Sequence, residues 1–227
     1  DNLIDFTPEL RAKAIEAIKP FRIGPLYTPG SLGQAPDGTR GTIILPGFGG
    51  GANWESGAAD PETGFVYVGS VTGPAVIALT KPKPNTQTST YEGGDGLALP
   101  RIDGLPLMKP PYGRITAYDM NKGEIAWQIA NGDTPANVKN NPLLQGLTIP
   151  KTGSPRQVGL MTTKTLLFAG DGTDPMLNAY DKKTGELIAQ LPMPGMQTGL
   201  PMTYMHDGRQ FILVAVGSAN GQGPQLI

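Results

Sequence analysis

Residues 115–129, ITAYDMNKGEIAWQI, and residues 177–191, LNAYDKKTGELIAQL, are two copies of one unit set 62 residues apart. Self-similarity at a fixed spacing marks a repeat fold, in which each unit buries its apolar face only by stacking on a neighbour. Aligned, the copies share Ala-Tyr-Asp and then Gly-Glu, so that Asp119 pairs with Asp181, Gly123 with Gly185 and Trp127 with Ala189. The physics of the unit is legible. A strand ends at Ala-Tyr-Asp, the Asp carboxylate accepts N–H bonds from the following turn, and Gly permits the reversal. The returning strand carries Trp127, a large aromatic able to dock on the neighbouring sheet. Ala189 in the second copy makes a weaker dock.

Short apolar runs of the same kind recur along the chain. FVYV (65–68), AVIAL (75–79), RITAYD (114–119), IAWQI (125–129), TLLFAG (165–170), LNAYD (177–181), ELIAQL (186–191), MTYM (202–205) and FILVAV (211–216) read as strands. Pro-Glu-Thr-Gly, Asn-Lys-Gly, Lys-Lys-Thr-Gly and His-Asp-Gly turns join several of them, each ending in a residue that takes φ > 0 without steric cost. The 32 Gly and 23 Pro of the 227 residues therefore serve turns, and regular short strands joined this way predict an all-β sandwich, barrel or propeller. One helix is predicted over 7–19, capped by Thr7, opened by Pro8 and Glu9 and ended by Pro20, with Leu10, Ala14, Ala17 and Ile18 on one packing face. Residues 81–113 and 131–157 lack a strand period and read as long loops, either functional or solvated.

Several function classes are excluded. With no cysteine there is neither a disulfide framework nor a thiolate metal site, and with His206 alone there is no multi-histidine centre. His206 itself lies in Met-His-Asp-Gly, a hairpin turn. A net charge of −1 without a basic stripe gives nucleic-acid binding no support. No apolar run reaches the roughly 20 residues of a membrane span, and the first residues, DNLIDFTPEL, lack the basic and apolar regions of a signal peptide. They read like the middle of a longer chain.

Ala117, Asp119, Gly123 and Trp127 complete the tryptophan-docking motif Ala-x-Asp-x-x-x-Gly-x-x-x-Trp, and Ala179, Asp181 and Gly185 satisfy all but its last position. The chain thereby resembles the pyrroloquinoline-quinone (PQQ) dehydrogenases. GGGANWESGAADPETGFVYV (49–68) resembles that family's Gly-Gly-x-Asn-Trp segment. KPPYGRITAYDMNKGEIAWQ and TKTLLFAGDGTDPMLNAYDKKTGE resemble its later blades, and GLPMTYMHDGRQFILVAVGS its closing blade. The Pro-Pro-Tyr-Gly lead-in at 110–113 is closer to the glucose-dehydrogenase type than to the methanol type.

The resemblance implies an eight-bladed β-propeller with PQQ near the axis and Ca²⁺ beside it. At about 40–50 residues per blade, this chain accounts for three to four blades, a single partial propeller over 1–227 from the C-terminal part of such an enzyme. It implies oxidation of a sugar or alcohol by hydride transfer to PQQ, a quinone or cytochrome electron acceptor, and a periplasmic location. Asn53 is expected to reach the cofactor, with Trp54 walling the ring and Asn220 a further contact; Arg156 and Gln157 fall where the methanol type places an aromatic. No catalytic base or metal ligand is recognisable. Asp60, Asp119 and Asp181 sit in turn motifs, and Asp171 and Asp174 in a hairpin connection without the spacing of a calcium loop. The chain alone is accordingly expected to be inactive and to bind neither PQQ nor calcium. The other reading is a non-catalytic propeller scaffold, which has no reason to keep Asn53–Trp54. Open, apolar blade faces are expected to drive self-association.

Overall fold

A computed structural model describes residues 2–53, 57–82, 89–93, 97–218 and 221–227. Helix α1 covers Pro8–Ile18, followed by β1 (Ser31–Leu32), β2 (Thr42–Ile44), β3 (Gly57–Asp60), β4 (Phe65–Val71), β5 (Ala75–Thr80) and β6 (Glu92–Gly93). Then come β7 (Gly113–Asp119), β8 (Glu124–Ala130), the short helix α2 (Ala136–Lys139), β9 (Leu160–Thr162), β10 (Leu166–Gly170), β11 (Met176–Asp181) and β12 (Leu187–Pro192). The last strands are β13 (Met202–His206), β14 (Arg209–Leu213), β15 (Ala215–Val216) and β16 (Gln225–Leu226). Among the described residues no helix is long and apolar enough to cross a membrane.

The chain divides into two compact units. One comprises residues 1–51, 72–110 and 136–149. Its helix α1 is capped by Thr7, whose Oγ1 accepts the Leu10 N–H at 3.2 Å, and it buries Leu10 and Ala14. In its sheet β5 is flanked by β1 and β2, with β6 also paired to β5. Both stretches predicted as loops contribute structure here. Ile102, Leu105, Leu107 and Met108 are buried, and Val138 of α2 and Leu144 of a 3₁₀ turn (Pro142–Leu144) anchor the second stretch. Asn141 ties the two together by donating Nδ2–H to the Asp103 carbonyl at 2.9 Å.

The other unit comprises residues 52–71, 111–135 and 150–227. It carries two four-stranded antiparallel meanders, β3-β4-β7-β8 and β9-β10-β11-β12. Two further two-stranded sheets follow, the β13–β14 hairpin and the β15–β16 pair. The run predicted as one strand over 211–216 changes partner between β14 and β15, where Val214 exchanges both backbone bonds with Ile227. Side chains alternate across each strand, so a sheet sandwiched between two others buries both faces. Leu160, Leu167, Ala169 and Tyr180 of the second meander meet Tyr67, Ile115 and Ala117 of the first. Met161, Phe168, Leu177 and Ala179, from its other face, meet Val214 and Val216. Successive meanders stacked face to face are the blades of a partial β-propeller.

The repeat holds at the level of single bonds. Asp119 and Asp181 each cap the turn that follows, Oδ1 accepting the N–H of Asn121 at 3.0 Å and of Lys183 at 2.8 Å. Gly123 and Gly185 then donate back to the carbonyls of the same Asp residues, both at 2.8 Å, with φ of 71° and 75°. Asp60 and Gly64 form a third turn of this geometry. The paired strands shift register at the same place in both copies, after Ala117 and after Ala179. His206 lies where it was expected, at the β13–β14 hairpin, with Asp207 and Gly208 both at positive φ.

Candidate functional site

Three sheets of the second unit are each entered by a polar segment, and hydrogen bonds draw these entry segments together. Asn53 precedes β3, Gln157 precedes β9, and Gln197 to Gly199 precede β13. Asn53 donates Nδ2–H to Oε1 of Gln157 at 3.0 Å, across 104 residues of sequence. Gln197 is buried and spans the next junction, its Oε1 accepting from Gly159 N–H and Gly170 N–H, both at 3.0 Å, while Nε2 donates to the Gly159 carbonyl at 3.2 Å. A Cβ on Gly170 would stand 2.2 Å from that Oε1, so glycine is required for the amide to seat. Arg156 donates from Nη2 to the Gln197 carbonyl at 3.5 Å. Beside these groups lies a cavity of about 310 Å³, lined by Arg156, Gln157, Val158, Gly159, Gln197, Thr198 and Gly199.

Of the three residues expected to touch a cofactor, Asn53 therefore joins a cluster of amides next to a cavity. Trp54 and Asn220 lie outside the described residues. Gln157 is Asn53's bonding partner, and Arg156 and Gln157 both line the cavity, with no aromatic among its described lining residues. Gln197 was missed, since a lone glutamine between Met-Pro-Gly-Met and Thr-Gly has no sequence signature. Amides offer donors and acceptors in the same plane. Such a pair fits a flat ligand edged with carbonyl and carboxylate oxygens, and PQQ is one. Asn53 and Gln157 are the residues that would hold it.

The opposite strand ends serve stability. Lys182, only 3% exposed, places Nζ 2.5 Å from Oδ2 of Asp60 and 3.2 Å from the Thr163 carbonyl. Its backbone carbonyl accepts the Tyr67 hydroxyl at 2.9 Å and the Trp127 indole N–H at 3.2 Å. One lysine thus ties the first meander to the second by side chain and main chain. The Trp127 ring packs on Gly185, where a Cβ would come within 2.8 Å of it, and tilts against Tyr67 at 5.8 Å. The Lys182 ammonium and Thr63 hydroxyl hold the Asp60 carboxyl down at about 2, and burial pushes the Tyr67 hydroxyl up to about 12. The turn N–H groups of Lys183 and Thr184 likewise lower Asp181. Carboxylates held this firmly ionised act as turn caps, and none is poised as a base near neutral pH.

Asp171 is likewise satisfied, Oδ1 accepting from Thr173 and Asp174 N–H and Oδ2 from Asn178 Nδ2–H, as a hairpin connection requires. Among the described residues no group of three or more His, Cys, Asp or Glu is placed to hold a metal ion.

Comparison with known proteins agrees with this architecture. The profile of the family "PQQ: Glucose/ethanol/alcohol dehydrogenase, beta-propeller domain" matches residues 1–212. The quinate/shikimate dehydrogenase (quinone) of Acinetobacter baylyi is 31% identical over 227 aligned residues, covering 88% of this chain and 26% of that protein. The glycerol dehydrogenase large subunit of Gluconobacter thailandicus is 29% identical, covering 77% of this chain and 27% of that protein. The crystal structure of the quinohemoprotein alcohol dehydrogenase from Comamonas testosteroni superposes with a TM-score of 0.51 at 25% identity, over 81% of this chain and 24% of that one. The chain spans about a quarter of the length of the curated relatives it matches. With its docking repeat, its stacked meanders and a family match over nearly all of its length, this chain belongs to the β-propeller family of PQQ-dependent glucose/ethanol/alcohol dehydrogenases.

Proposed function

We propose that these residues form part of a quinoprotein dehydrogenase that oxidises a sugar, polyol or other alcohol, and that they contribute one wall of its PQQ site. The observation that carries this reading is the Asn53–Gln157 amide pair beside the 310 Å³ cavity, at the entries of adjacent sheets. Bound there, PQQ would supply the acceptor for the hydride of the alcohol carbon. The work of this chain is positioning. Asn53 and Gln157 orient the cofactor's polar edge, and each fixes the other's amide. Gln197 fixes the segment before β13 to the second meander behind them. Relatives named for quinate, glycerol and glucose oxidation support a hydroxylated substrate.

We assign the calcium ligands and the catalytic carboxylate to parts of the whole protein other than the described residues. We assign the onward electrons to a quinone or a cytochrome. On this assignment the 227 residues alone are inactive. The amide pair at Asn53 favours the enzyme lineage over a non-catalytic scaffold, which has no use for it.

The test is PQQ-dependent dye reduction by the protein that carries this chain, supplied with PQQ, Ca²⁺ and a panel of glucose, glycerol and quinate. Turnover on at least one substrate that vanishes without PQQ is expected. Absence of PQQ-dependent turnover on all of them overturns the enzyme reading.

A further inference from the structure

Arg156 is the one charged residue among the described residues that line the 310 Å³ cavity; its companions there are Gln157, Gln197, Thr198, two glycines and a valine. Among the described residues its guanidinium makes a single hydrogen bond, the long one to the Gln197 carbonyl, and no ion pair. Several Asp residues of this unit are occupied elsewhere: Asp60 by Lys182, Asp119 by Lys122, and Asp171 and Asp181 by turn N–H groups. Along 156–159 the chain passes from exposed Arg156 through half-buried Gln157 to buried Val158 and Gly159. The guanidinium therefore stands on the solvent side of the cavity, with the Gln157 amide behind it.

A guanidinium keeps its charge at every physiological pH and presents a rigid fork that matches a carboxylate in two parallel bonds. Among the described residues that line it, the cavity's only charge is this positive one, and it favours an anionic ligand. The amides and the Thr198 hydroxyl alongside suit hydroxyl groups, each of which both donates and accepts. We infer that Arg156 is a carboxylate-binding residue at the mouth of this cavity, and that it selects polyhydroxy carboxylic acids over neutral polyols. The inference rests on the functional reading above and names its substrate class. PQQ also bears carboxylates, so the test separates the two sources of the same group.

Three measurements on the protein that carries this chain, wild type and the R156Q and R156K variants, decide the matter. The first is calorimetric titration of quinate into PQQ-free protein, the second the PQQ dissociation constant by equilibrium dialysis, and the third the KM for quinate and for glycerol. The expected result for R156Q is at least a tenfold loss in quinate affinity and a tenfold rise in its KM. The glycerol KM and the PQQ dissociation constant should stay within twofold. R156K should fall between, since an ammonium keeps the charge and loses the fork. Equal changes for quinate and glycerol overturn the inference. So does weakened PQQ binding with an unchanged quinate-to-glycerol ratio, which assigns the carboxylate to the cofactor. So does wild-type protein that shows no heat with quinate. The titration needs no cofactor, so it reports on Arg156 even where the dye assay overturns the PQQ reading.

Discussion

The indole N–H of Trp127 donates to the backbone carbonyl of Lys182 at 3.2 Å, joining the outermost strand of one meander to the turn of the next. The same residue buries its ammonium against Asp60 of the first meander. Stability at this junction therefore depends on a ring, a glycine and an ion pair, and each can be removed separately.

Trp127→Phe keeps the ring and loses the bond to Lys182, and should cost about 1 kcal/mol, the net worth of one hydrogen bond. Trp127→Ala also opens a void beside Tyr67 and should cost about 3 kcal/mol, the lower end for a large aromatic because the ring is half-buried. Denaturant unfolding monitored by circular dichroism separates the two values. Equal losses would show that the ring contributes no packing.

Gly185 faces that ring at φ 75°. Gly185→Ala places a Cβ 2.8 Å from Trp127 Cε3 and strains the backbone, a loss of about 1–3 kcal/mol. Part of that cost is collision with the indole. A double-mutant cycle should therefore show a smaller loss for Gly185→Ala in a Trp127→Ala background. Strict additivity would mean that the ring and the turn do not touch.

The buried pair Asp60–Lys182 makes stability depend on acid. The Asp60 carboxyl sits at about 2 in the fold against its ordinary 3.8. A folded value below the unfolded one stabilises fully above about pH 4 and is lost as pH falls towards 2. It is worth about 2.5 kcal/mol at neutral pH. Asp119 and Asp181, also lowered, steepen the same acid limb. Lys182→Met leaves Asp60 buried without its partner and should cost about 3–5 kcal/mol at pH 7. Lys182→Met with Asp60→Leu should cost less than Lys182→Met alone, since no charge is then stranded. The measurement is the unfolding free energy of wild type and variants from pH 2 to 7. A flat wild-type profile between pH 4 and 2 would contradict the assignment.

Leu187, Ile188 and Leu191 of β12 and Met202, Tyr204 and Met205 of β13 are large apolar side chains left exposed. The 227 residues made on their own should self-associate, and Leu187→Lys with Ile188→Lys should reduce it. Light scattering across a tenfold concentration range reads this directly. A monomer at all concentrations would show that these side chains attract no partner.

Much of this was legible in the sequence because the repeat writes its turns in residue types. Asp at the strand end and Gly four residues on dictate the 119–123 and 181–185 turns, and Trp127 announces its dock. The strands missed were the short ones. Gly57–Asp60 is Gly-Ala-Ala-Asp, without the β-branched or aromatic residues that mark a strand. Lys182 was illegible for a physical reason. A lysine in Lys-Lys-Thr-Gly looks solvated, and only the carboxylate of Asp60, 122 residues away, buries it. At the site Asn53 was singled out through the family resemblance of its Gly-Gly-x-Asn-Trp segment, whereas Gln157 and Gln197 gain their meaning from partners the chain order does not reveal.

The central claim is that Asn53 and Gln157 form a wall of the PQQ site. Equilibrium dialysis of PQQ against the protein that carries this chain, in the presence of Ca²⁺, tests it most directly. Asn53→Ala and Gln157→Ala should each weaken PQQ binding about tenfold, the worth of a lost polar contact, with the unfolding midpoint nearly unchanged. PQQ affinity equal to wild type in both variants would contradict the account.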